Sequence, residues 1–353
     1  MKLFVGYQLC RTDTFLNRIL ENREKIAEVY FSWGAMPSGR SAMGLGQERT
    51  PWEAEEQQRC QLRQIADAGI CLNLLLNANC YGADSLSRSF FQSTGDLVDM
   101  LRNEWNLVSV TTTSPVIGRF IRQNFECLEV RASVNMEIGT TEGMDYLADA
   151  FDSFYIKREL NRDMAALRKL RQHCDATSKK LHLLANSGCL NHCSARQFHD
   201  NLVAHEQEIA KRDNAFVFQS ACRQYLSEPA HRAKILQRSN WIRPEDLYRY
   251  EGIADGVKLA TRISPNPTAI LEAYLQGSYS GNTLELLEPN YAAAFYPTVL
   301  DNSAFPADYF DIRHNCGSDC GSCSYCEALY PKVTQTLADI YMMEENTLCS
   351  PAK

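Results

Sequence analysis

Eight short runs of β-forming residues recur along roughly the first 260 positions, and the longer stretches between them carry helical apolar spacing. The runs are LFVGY at 3–7, EVYFSW at 28–33, ICLNLLL at 70–76, LVSVTT at 107–112, LEVRASV at 128–134, SFYIK at 153–157, LHLLA at 181–185 and GVKLA at 256–260. Segments such as FLNRILENREKIA and MAALRKLRQH place apolar residues three and four apart. Strand–helix alternation of this kind demands a parallel sheet with helical crossovers, and eight repeats predict a (β/α)8, TIM-like barrel. QRSNWI, just before Pro244, is a ninth strand candidate. The barrel is expected to occupy 1–262. A C-terminal appendage is expected over 263–353, where ISPNPTA, SYSGNT and EPNYAAAFYP break the alternation and VTQTLADIYMMEE reads as a last helix.

The 353 residues are 45% hydrophobic and 22% charged, enough to build a core without disulfide staples. A net charge of -7 argues against broad electrostatic attraction to nucleic acid. No stretch has the apolar length of a membrane span, and MKLFVGYQLC reads as a first strand, not a signal peptide. A cytoplasmic setting is expected, where cysteines serve as metal ligands or catalytic groups more often than as disulfides.

The fourteen cysteines are therefore the main chemical signal. Cys316, Cys320, Cys323 and Cys326 crowd into CGSDCGSCSYC, a C-x3-C-x2-C-x2-C pattern that reverses the ferredoxin spacing. Gly317 and Gly321 let the chain wrap closely. An iron–sulfur cluster, 4Fe–4S in type, is the leading expectation, with zinc the competitor. The first three also match the spacing of radical-SAM enzymes, but that motif follows a first barrel strand, and this one follows the whole barrel.

Cys189 and Cys193 lie in a loop after the seventh run, where Gly188 permits a sharp turn, and Cys222 follows the apolar run FVFQ, which also reads as a strand end. Arg223 beside it would favour a thiolate and offset the charge of a thiolate-bound cofactor. Cys10 and Cys80 follow strands and could reach the barrel mouth as a fourth ligand. Cys127 and Cys174 precede strands, Cys60 is in a charged helix and Cys349 is in the tail. Ordinary buried thiols remain the alternative for the first three.

Charged residues in or just after strands point to the mouth, where barrel enzymes carry their sites. They are Arg131, Glu137, Lys157, Arg158, Glu159, Lys258 and Arg262. Lys157, Arg158, Lys258 and Arg262 would suit a small anionic substrate or cosubstrate, with structural ion pairs as the alternative. His192, between two cysteines, and His314, before the tail motif, are candidate ligands or proton donors. His199 and His205 form no HExxH pattern. Nucleotide-binding glycine loops and a GxSxG elbow are both missing.

VTTTSPVIGRF, SFYIKRELNRD, LHLLANSGCLNHCSAR, FQSACR and IRPEDLYRYEGIADGVKLATR together resemble the peptidase U32 (collagenase-like peptidase) family over about residues 100–262. The resemblance rests on Ser187-Gly188-Cys189, Cys222-Arg223, Pro244 to Leu247 and Lys258. It implies a barrel whose cluster cysteines correspond to Cys189, Cys193 and Cys222, with no clear fourth ligand. It also implies oxygen-independent hydroxylation of an RNA base or a small organic substrate, in some members with prephenate as oxygen source. Peptide hydrolysis, from the family's name, is the alternative, and a metal-binding accessory protein with a partner is the third. The chain departs from the family pattern at Ala260, where an acidic residue is usual, and at Ala185-Asn186, in place of His-Gly.

Overall fold

A computed structural model describes residues 1–34, 36–40, 50–317 and 319–337. Its eight parallel strands close into a barrel in sequence order. They are β1 Leu3–Gly6, β2 Ile26–Phe31, β3 Cys71–Leu76, β4 Leu107–Thr112, β5 Glu129–Ala132, β6 Ser153–Tyr155, β7 Lys180–Leu184 and β8 Gly256–Leu259. Closure comes from β1, which pairs with β2 on one side and with β8 on the other, Leu3 opposite Val257. The eight expected strands are thus all present, and the (β/α)8 fold is borne out.

Side-chain alternation sorts each strand into an outer apolar set and an inner mixed set. Val5, Val29, Leu72, Val110, Val130, Leu183 and Val257 pack outward into the main core with the helices. Phe4, Tyr30, Leu75, Tyr155 and Leu184 pack together inside. Gly256 lets the Phe4 ring fill the centre, since a Cβ there would lie 2.2 Å from Phe4 Cζ. The helices start on sequence-encoded caps. Thr50 and Glu53 form a capping box ahead of Pro51–Asp67, and Asp163 caps Met164–Ala176 through the Ala166 N–H.

The barrel interior also holds an ion network. Arg131 reaches Glu28 at 2.7 Å and Glu129 at 2.8 Å, and Glu129 takes Lys180 at 2.6 Å. Arg131 is therefore a structural ion-pair residue. Burial holds the His182 imidazole down to about 4, so its neutral ring lies against Glu129 at 3.5 Å.

A second apolar core lies beside the barrel. Leu190, Leu226, Ile235, Leu236 and Trp241 from the β7–β8 connection meet Leu284, Leu287, Tyr291, Phe295, Leu300 and Leu329 from the C-terminal segment. The helix Pro267–Gln276 instead buries Ile270, Leu271 and Tyr274 in the main core.

Three local expectations need correction. QRSNWI is no ninth strand: the helix Lys234–Arg238 precedes a single bridge from Ser239 to Leu190. The run before Cys222 is not a strand either. Phe216 and Val217 are 92% and 87% exposed, no ladder partner meets them, and Cys222 lies in the helix Ala221–Ser227. The expected last helix begins as a strand, β10 Thr334–Thr336, antiparallel to β9 Thr298–Leu300, as β-branched residues at 333, 334 and 336 favour. The rest of that helix, and Cys349, lie outside the described residues.

Candidate active site at the barrel mouth

β8 turns Lys258 inward and β2 does the same for Tyr30. The Lys258 Nζ lies 3.8 Å from the Tyr30 ring centre and 5.3 Å from that of Tyr155. No carboxylate pairs with this amine among the described residues, and Lys258 is only 8% exposed. Burial first, then the Arg262 charge, lower it to about 7. An amine so placed exchanges a proton near neutrality.

Three guanidinium groups surround it. Arg262 donates to Ser38 Oγ from both terminal nitrogens at 3.0 Å, and to the Arg40 carbonyl. Burial lowers it to about 10. Arg40 grips Glu288 with two parallel bonds of 3.0 Å. Burial alone would raise the Glu288 carboxyl, but Arg40 outweighs it and holds the group below its usual range. Arg158 donates to Asn135 Oδ1 at 2.6 Å and Glu137 Oε1 at 3.4 Å. These groups, with Asn77, line a small cavity of about 50 Å³ in the mouth. Lys258, Arg262, Arg40 and Arg158 face one buried carboxylate there, so the cavity favours an anionic group.

Gly6 and Gly188 permit this packing by close approach. A Cβ at Gly6 would lie 2.6 Å from Tyr30 Oη and 2.8 Å from Arg262 Cγ. One at Gly188 would lie 2.9 Å from Tyr291 and 3.0 Å from the Pro289 carbonyl. The loop's left-handed residue is His192, with φ at 59°, so the tight turn is made there and not at Gly188.

Of the residues expected at the mouth, Arg158, Lys258 and Arg262 line the cavity and Lys157 does not. The Lys157 stem instead covers Gly139. His192 is exposed, its ring 3.9 Å from Glu159. Arg223 reaches the Asn290 carbonyl at 3.1 Å, on the surface. Cys189 and Cys222 both face Tyr291, whose hydroxyl donates to the Gly188 carbonyl. Burial pushes the Cys189 thiol up. Cys193 is half-buried at the turn before the helix Arg196–Ala204. Cys10 lines a separate cavity of about 660 Å³ with Gln8, Ser264 and Asn266, and Cys80 accepts from the Gly82 N–H at 3.3 Å. His314 is tied to Tyr250 at 2.6 Å and to the Phe310 carbonyl, a structural role.

Among the described residues no group of three or more His, Cys, Asp or Glu is arranged to hold a metal ion. Cys316, Cys320, Cys323 and Cys326 do, however, line one cavity of about 250 Å³. Sequence reasoning missed Tyr30, Arg40 and Glu288. Nothing local marks them, because only barrel closure and the folded-back C-terminal segment bring them to Lys258. No helix among the described residues is long and apolar enough to cross a membrane.

A closed eight-stranded parallel barrel with a cationic mouth over β8 defines a (β/α)8-barrel protein. No family model matches the chain. It is 26% identical over 282 residues to the uncharacterized protease MJ1657 of Methanocaldococcus jannaschii, covering 77% of this chain and 80% of that protein. The solved U32 peptidase Mk0906 shares the fold, with a TM-score of 0.51 and 16% identity over 73% of this chain and 91% of that one. These two findings support assigning the chain to the peptidase U32 family, as the sequence motifs indicate.

Proposed function

We propose that this chain is a U32-type enzyme that holds a carboxylate-bearing substrate in the barrel mouth and moves a proton through the Lys258 amine. One observation carries the reading: Lys258 is buried, lacks a carboxylate partner among the described residues, and lines the same cavity as Arg40, Arg158 and Arg262. The guanidinium groups would bind the carboxylate, and neutral Lys258 would take a proton from a water attacking the peptide carbonyl and return it to the leaving amine as the C–N bond breaks. The relative named a protease and the solved U32 peptidase favour peptide-bond hydrolysis as the reaction. The cavity suits the carboxylate end of a peptide, with the remainder outside.

A second reading is oxygen-independent hydroxylation of an RNA base or a small organic acid at the same mouth. The cysteine-lined cavity in the C-terminal segment favours it, since four thiols fit an iron–sulfur group that would take up and pass on electrons released as the substrate is oxidised.

The test compares short peptides ending in a free carboxylate with their amides, using wild-type protein and Lys258→Met. Hydrolysis of the free acids by wild type alone supports the first reading. Equal turnover of acids and amides, or full activity in Lys258→Met, would overturn the assignment of the site. No cleavage, with citrate-type acids still shielding Lys258 from acylation, would favour the second.

A further inference from the structure

We infer that Cys316, Cys320, Cys323 and Cys326 hold a four-iron cluster on the flank of the barrel, with Arg313 as its counter-charge, at a site separate from the mouth. A single zinc ion would draw four sulfurs to about 2.3 Å from one point. The four cysteines line one cavity of about 250 Å³, and sulfide content separates zinc from a cluster. A cubane cluster takes four thiolates, the number this cavity offers.

Arg313 is the independent observation. It lies on the helix Tyr309–His314, is 3% exposed, and has no carboxylate partner among the described residues. Its Nη1 donates to Cys326 Sγ at 2.9 Å and reaches Cys316 Sγ at 3.9 Å. Nη2 points to the Gln237 carbonyl at 3.5 Å. A buried guanidinium aimed at two sulfurs is expensive beside neutral thiols and favourable beside thiolates carrying a negative cluster. Asp319 lines the cavity too, but it is engaged within its own loop by Ser322 at 2.7 Å and Gly321, leaving the thiols as the donor set.

The experiment is iron and acid-labile sulfide analysis, with visible absorption, on the full chain purified without oxygen. Wild type is expected to carry about four irons and about four sulfides in this site. Cys316→Ser/Cys320→Ser should lose them, while Cys189→Ser/Cys193→Ser should keep them. Cys323 is exposed, so Cys323→Ser tests the site without disturbing a core, and it should also lower iron and sulfide. Arg313→Gln should shift the cluster potential downward, since a cation favouring the reduced, more negative cluster is gone. Zinc without sulfide, or iron unchanged in the tail variants, would overturn the inference. None of these readouts depends on a reaction at Lys258.

Discussion

The amine of Lys258 rests 3.8 Å above the centre of the Tyr30 ring, and the Tyr30 hydroxyl donates back to the carbonyl of Leu259, the next residue along the same strand. The pair binds β2 to β8 although β1 lies between them. The ring face attracts a cation but cannot replace a carboxylate or water, so the amine remains costly to protonate.

Lys258→Met is therefore expected to stabilise the fold while abolishing any chemistry at the mouth. The gain should be about 1–2 kcal/mol near neutrality. The sign follows from proton linkage. The folded amine titrates near 7 and the unfolded one near the ordinary lysine value of 10.5. Between those values the unfolded chain binds the extra proton, so wild-type stability should rise with pH in that window. Urea midpoints at pH 6.5 and 9.5 would check this, and a rise just as steep in Lys258→Met would count against it.

Lys258 should also acylate at near-neutral pH, ahead of the exposed Lys180 and Lys211. Mass spectrometry after brief treatment with an amine-reactive ester at pH 7.5 should find it modified early. Small dicarboxylates should slow the labelling. Labelling that begins only above pH 10 would refute the lowered amine.

The interior ion network predicts acid lability. His182 is held neutral down to about 4 by burial, so the folded state resists a proton that the unfolded chain accepts near 6.5. Glu129 is held below its usual range, with burial opposing and His182, Arg131 and Lys180 outweighing it. Stability should fall from pH 6.5 towards 4 through His182, and further below 4.5 as the unfolded carboxylates protonate. His182→Phe should flatten the upper part of that acid limb in thermal melts taken across this range.

Gly256→Val should destabilise by about 1–3 kcal/mol, because the added Cβ meets the Phe4 ring at 2.2 Å. Phe4→Ala in the same chain should restore part of the loss. Chemical denaturation of the two single variants and the double variant gives the coupling directly.

Glu288→Gln removes the carboxylate that grips Arg40 with two bonds, leaving only Asp200 at 4.0 Å, and should cost about 3 kcal/mol. Limited proteolysis should then cut within the C-terminal segment earlier than in wild type.

The barrel strands were legible because each carries its own pattern: LVSVTT at 107–112 is β4 to the residue. Lys258 and Arg262 were legible too, as charges at the end of an apolar run. Arg40 and Glu288 were not, since 248 positions separate them and neither has a local signature. FVFQ misled for the opposite reason. Its composition is that of a strand, yet no neighbour offers a ladder, and propensity without a partner makes no sheet.

The second core has a consequence for how the chain is made. Leu190, Leu226, Ile235, Leu236 and Trp241 emerge from the ribosome well before Leu284 to Leu329, the residues that cover them. All eight strands can be synthesised while that apolar surface still waits for its other half. A nascent chain stalled near residue 280 would present it bare, which makes the β7–β8 connection the stretch where a chaperone has most to hold during synthesis.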